Sequence, residues 1–220
     1  MIVVHHLNNS RSQRVLWLLE ELELPYEIKR YQRDAKTMLA PPELRAIHPL
    51  GKSPVITDGD TVLAETGAIV EYIIAMYGGG RLTPTPGTPE RLRYTYWLHY
   101  AEGSAMPPLL MKLVFTALPA RAPALMKGLV KSIAARAQKG FVDPQLKAHI
   151  DYWEAELSKA TWFAGAELTG ADIMMSFPLE AAAQRAGAAD RPRIKAFLDR
   201  IHARPAYQRA LQRGGPYDYA

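Results

Sequence analysis

The chain has 220 residues, 48% hydrophobic and 22% charged, with 27 Lys and Arg against 22 Asp and Glu and no cysteine. That length holds one or two domains with a real core; the charge content excludes disordered, collagenous and coiled-coil classes, and the lack of cysteine excludes disulfide scaffolds, Cys-ligated metal centres and every mechanism that needs a protein thiol. The net charge of +5 lies in the second part, since residues 1–80 carry 8 basic and 10 acidic side chains and residues 81–220 carry 19 and 12, and with no Lys/Arg run or interleaved stacking aromatics a nucleic-acid partner is not expected.

The first residues lack a basic n-region, and their apolar run breaks at His5. No later stretch approaches the ~18 uninterrupted apolar residues of a membrane span, so a cytoplasmic protein with no membrane partner is expected. Residues 2–7 read as a buried strand and residues 26–31 as an alternating one. Between them Val15, Leu18, Leu19 and Leu22 recur at helical spacing until Pro25. Strand, helix and strand at this spacing imply a right-handed parallel crossover. Residues 54–57 and 61–64 flank Asp58-Gly59-Asp60, a hairpin turn, and Ile69, Ile73, Ile74 and Tyr77 mark a further helix. Glycines and prolines then collect, and beyond them nearly everything is helical. The predicted organisation is an α/β domain over 1–78, a linker over 79–88 and an all-helical domain over 89–220. Thr88-Pro89-Glu90 opens the latter with cap, proline and first-turn acid. Interruptions are expected at Pro107-Pro108, Pro119, Gly140 to Pro144, Gly165, Gly187 to Pro192 and Pro205.

Four segments stand out. Asn9-Ser10-Arg11-Ser12-Gln13-Arg14 leads into the first helix, with Ser10 as cap and Gln13 reaching back to it. His48-Pro49-Leu50-Gly51-Lys52-Ser53-Pro54-Val55 puts a proline at the opening of a strand, where its missing N–H normally costs a ladder bond. Glu65-Thr66-Gly67-Ala68-Ile69 places a hydroxyl at a helix start, a ready site for a carboxylate. Leu168-Thr169-Gly170-Ala171-Asp172-Ile173 reads as a capping box with a hydrophobic staple and needs no chemistry. His5 and His6, adjacent in a strand, point to opposite faces and cannot share a metal. His99 and Glu102 lie one helical turn apart with no second ligand pair, so no metal is expected. Phosphate loops, HExxH and dinucleotide fingerprints are absent.

In this order, around a linker, the four segments resemble the glutathione S-transferase superfamily along essentially the whole chain, in the style of its serine-type bacterial and fungal members. The resemblance implies a thioredoxin-like domain followed by a helical one. It also implies an enzyme that joins the thiolate of glutathione, a cosubstrate rather than a cofactor, to an apolar electrophile, and a homodimer. Free glutathione, with a thiol pKa near ~8.5, is only roughly 3% thiolate at pH 7; a shift of about two units, or ~2.7 kcal/mol, raises that to roughly three quarters. By resemblance Ser10 supplies the hydroxyl that holds the thiolate, with Asn9 and Ser12 as rivals at neighbouring positions. Ser53 pairs its backbone with the cysteinyl part of glutathione beside a cis Pro54, Lys52 meets the glycyl carboxylate, and Glu65 and Thr66 bind the γ-glutamyl ammonium and carboxylate. Met106 and Leu109, with Asn9 and Ser12, are the expected electrophile pocket. Two alternatives stay open: peroxide or disulfide reduction with bound glutathione and no protein cysteine, and a non-catalytic ligand-binding or assembly module on the same fold.

Overall fold

The structure, a computed structural model, describes residues 1–34, 37 and 39–219. Strand β1 (Ile2–Leu7), helix α1 (Ser12–Glu21) and strand β2 (Tyr26–Tyr31) form the parallel crossover unit; α2 (Pro42–Ile47), β3 (Val55–Asp58), β4 (Thr61–Ala64) and α3 (Thr66–Tyr77) follow. The sheet order is β2-β1-β3-β4, with β3 antiparallel to both β1 and β4. In register, Val4 faces Ile28 on one side and Ile56 on the other. Gly59, at φ +57°, takes a turn conformation that costs glycine nothing. Val15, Leu16, Leu18 and Leu19 are fully buried, as are Ile69, Val70 and Ile73 on α3, so both helices commit apolar surface to one core.

The helical domain comprises α4 (Pro89–Tyr100), α5 (Met106–Ala117), α6 (Lys127–Ala137), α7 (Asp143–Lys159), α8 (Gly170–Arg185), α9 (Pro192–His202) and α10 (Pro205–Gly214). Two expected interruptions are not breaks. The chain runs from α4 into α5 through a π-turn over Ala101–Ala105, and from α6 into α7 through another over Gln138–Val142. Prolines 107, 108 and 144 sit in the first turns that follow, where the wider turn accommodates residues that cannot donate to the helical ladder. Thr169 and Asp172 form the expected capping box at the start of α8. The Asp172 carboxylate takes the Thr169 N–H at 2.8 Å and the Phe163 N–H at 2.7 Å. Its pKa is pushed up to about 6 by complete burial, against which those donors pull.

Helix α10 turns back onto the first domain. Arg209 and Arg213 reach Glu20, Arg204 reaches Glu21, and Tyr207 meets Trp17 edge to face at 5.3 Å between ring centroids. These contacts fix α1, and therefore the loop before it, against the helical domain. No helix among the described residues is long and apolar enough to cross a membrane.

Candidate active site

The loop from β1 into α1 brings Ser10 to the start of α1, where the first helical N–H groups have no partner in the helix. Ser10 is 4% exposed, and its Oγ lies 2.7 Å from Ser12 Oγ and 3.3 Å from Ser53 Oγ. It also accepts the Ser12 N–H at 3.3 Å. The expected capping box does not form: the cap position of α1 is Arg11, and no side chain caps it. The amide of Gln13 is buried with neither polar atom bonded to a protein group, because the side chain packs against Gly214 of α10 and not back over the helix start.

Ser12 is fully buried, and its hydroxyl lies 2.8 Å from Nδ1 of His6. Burial, seconded by Arg30 and opposed by the Gly214 carbonyl, lowers the pKa of His6 to about 4, so the ring is neutral at pH 7. With the proton of the neutral ring on Nε2, Nδ1 is the acceptor and takes the Ser12 proton. Ser12 Oγ is then an acceptor towards Ser10. The Ser53 hydroxyl is spent on the His5 carbonyl at 3.1 Å, which makes it too an acceptor towards Ser10. The Ser10 proton is therefore the donor to these two oxygens, and the one in this cluster not committed to a histidine or a carbonyl, so it can turn to another acceptor. The neighbouring His5 faces away, to Tyr31 OH at 2.9 Å and Thr57 Oγ1 at 3.4 Å. Ser53 precedes Pro54 through a cis peptide, and Lys52 is exposed on the same loop.

A second cluster adjoins the first. Glu65 precedes α3 with φ +70°, a conformation costing a non-glycine residue about 1–3 kcal/mol and typical of functional sites. Thr66 is buried at the helix start, and its Oγ1 accepts from Arg14 Nη2 at 3.4 Å. Arg14, only 1% exposed, also donates to the Met174 carbonyl at 2.7 Å and pairs with Glu102. Arg11 pairs with the other Glu102 oxygen at 3.2 Å and lies within the field of Glu65. Burial raises the Glu102 carboxyl, but Arg14 and Arg11 overcome it and hold the group below the usual carboxylate range.

Ser10, Ser12 and Ser53 thus meet in one cluster, Glu65 and Thr66 in its neighbour, and Lys52 borders the first. Asn9, Met106 and Leu109 do not form the expected pocket. Met106 and Leu109 are buried in the shared core, because the α5 face they occupy is the one turned inward. Asn9 is tied to the C-terminal tail: its Nδ2 donates to Asp218 at 2.7 Å, and its Oδ1 accepts the Asp218 N–H at 3.0 Å. That tail brings Tyr219 to Phe177, 5.0 Å between ring centroids, and Phe177 lies under both Arg11 and Arg14. The sequence assigns no part at this site to His6, Arg11, Arg14, Glu102, Phe177 or the tail. Glu102 was visible as an acid in a helix, but nothing in its spacing pointed to partners about 90 residues away.

Comparison with known proteins decides the family. The glutathione S-transferase N-terminal domain matches residues 1–75 and the C-terminal domain residues 106–205. The chain belongs to the glutathione S-transferase family. It is 34% identical to glutathione S-transferase 3 of Schizosaccharomyces pombe, over 97% of this chain and 88% of that protein. Identity to glutathione S-transferase 1 of Saccharomyces cerevisiae is 36%, over 94% and 92% of the two chains. A crystal structure of a glutathione S-transferase from Actinobacillus pleuropneumoniae superposes with a TM-score of 0.84 at 36% identity, covering 100% of this chain and 95% of the other.

Proposed function

We propose that this chain binds glutathione across the two clusters, ionises its thiol and transfers the thiolate to an apolar electrophile. The observation that carries this reading is the Ser10 hydroxyl at the head of α1, whose proton its serine neighbours can accept but do not need. When the thiol is ionised, Ser10 turns that proton to the sulfur, and the Ser12 N–H continues to hold its oxygen. A hydrogen bond to a charged group contributes about 1.5–3 kcal/mol, and a helix N-terminus a further ~0.3–1 kcal/mol. Together they reach the ~2.7 kcal/mol that a two-unit shift requires. The thiol proton goes to solvent, the sulfur forms a bond to the electrophilic carbon, and either a leaving group departs with the electron pair or the resulting carbanion takes a proton.

The rest of the tripeptide finds chemically matched groups. The Thr66 hydroxyl and the unpaired N–H groups at the head of α3 suit the γ-glutamyl carboxylate, and Glu65 suits its ammonium group. The backbone of Ser53 suits the cysteinyl strand, and Lys52 the glycyl carboxylate. Half-buried Tyr219, packed on Phe177, offers the electrophile an apolar wall. Exposed Met76 on α3, with Leu92 and Tyr96 on α4, supports a homodimer through those two helices. The cytoplasm, where glutathione is kept reduced, is the proposed location.

Three assays with millimolar glutathione separate the possible chemistries: a chloronitrobenzene, a hydroperoxide and hydroxyethyl disulfide. Turnover of the first is expected. Turnover confined to the others would replace conjugation with reduction, and failure to bind glutathione would overturn the enzyme assignment altogether.

A further inference from the structure

The surface charge of the helical domain is not evenly spread. Between Glu102 and Asp143 the sequence contains six Lys and Arg and not one Asp or Glu. This stretch folds as α5, a tip of two short 3-10 turns (Leu118–Arg121 and Ala124–Met126) and α6. Of its cations only Lys112 is in an ion pair, with Asp143 at 2.7 Å; among the described residues Arg121, Lys127, Lys131, Arg136 and Lys139 are exposed and in none.

The same segment exposes apolar side chains at helical spacing. On α5 Leu110, Val114 and Leu118 stand four residues apart and are exposed, while the opposite face buries Met106 and Leu109. On α6 Leu129 and Ile133 are exposed and follow Met126 of the tip in one stripe. At the apex Leu125 is 99% exposed, held out from the protein by a turn with Pro123 before it. An apolar apex ringed by unpaired cations is the composition of a segment that lies in the interfacial layer of an anionic bilayer. A two-fold contact of the patch with itself does not suit it, because it would set these cations against one another with no acid between them. An acidic protein would need a groove for Leu125, whereas a lipid surface accepts a convex apex as it stands.

We propose that the α5–α6 tip docks this protein on anionic phospholipid surfaces, with Leu125 and its neighbours among the acyl chains and the five exposed cations at the head groups. This surface is separate from the clusters around Ser10 and Thr66 and does not depend on their chemistry. The experiment is co-sedimentation of the full chain with phosphatidylcholine vesicles, with and without phosphatidylglycerol, at two salt concentrations. Binding is expected to the anionic vesicles. It should weaken when salt rises from about 0.05 M to about 0.5 M, which shortens the screening length roughly three-fold. Lys127→Gln/Lys131→Gln should reduce partitioning about 30-fold, and Leu125→Asp by on the order of ten-fold or more. Circular dichroism and thermal melting equal to the parent's show that these surface variants are folded. Sedimentation with neither vesicle, or equally with both, overturns the proposal. So does conversion of a dimer to a monomer by Leu125→Asp in analytical ultracentrifugation, which would assign the apex to a second copy.

Discussion

Removal of the Ser10 hydroxyl has an effect whose size and pH dependence both follow from the geometry. In Ser10→Ala the bound thiolate loses a hydrogen bond of about 1.5–3 kcal/mol, which raises its pKa by roughly one to two units. With a parent value near ~6.5, the thiolate fraction at pH 7 falls from roughly three quarters to between about a quarter and about 3%. The expected loss in kcat/KM is therefore roughly 3- to 25-fold at pH 7 and less than about two-fold at pH 9, where both thiols are ionised. Steady-state conjugation of a chloronitrobenzene across that range measures it. A loss of equal size at both pH values would show that Ser10 acts on something other than ionisation, and no loss would remove it from the mechanism.

Ser12→Ala takes away the acceptor that competes for the Ser10 proton. The bound thiol pKa should stay level or fall, while the unpaired His6 nitrogen costs on the order of 1–3 kcal/mol of stability; a raised thiol pKa by spectroscopic titration would mean that Ser12 donates to Ser10. Thr66→Val should raise the KM for glutathione by about ten-fold or more with kcat little changed, because uniform binding is lost and not transition-state stabilisation. Asp172→Ala strands the N–H groups of Phe163 and Thr169, a loss of roughly 3–5 kcal/mol to be read from urea unfolding. The Glu102 carboxyl is held below its free value by Arg14 and Arg11. The stability it contributes is complete above the unfolded-state pKa and is lost as pH falls through the lower folded one; Glu102→Gln should flatten that acid limb in pH-dependent melting.

Much of the fold was legible because it is written in local signals. The β1–α1–β2 unit, the Gly59 turn and the Thr169–Asp172 box each rest on residues a few positions apart. The π-turns were not, because a proline announces a missing donor but not whether the helix ends there or widens around it. At the site, Ser10, Ser53 and Thr66 stand in short motifs that fix their place on the chain. Arg14 and Glu102 are joined only by the packing of α1 against the helical domain. Met106 and Leu109 were misplaced for a related reason: α5 has apolar residues on both faces, and sequence periodicity does not say which face turns inward. The acid-free stretch between Glu102 and Asp143 can be read in the sequence, but only the fold shows that it forms one helical tip.

The central claim is that the chain ionises glutathione, and the ultraviolet absorbance of the bound thiolate tests it most directly. Titration of the saturated complex should show half-ionisation near pH ~6.5, about two units below the free thiol. A complex that is saturated and yet titrates like free glutathione, near pH ~8.5, would contradict it.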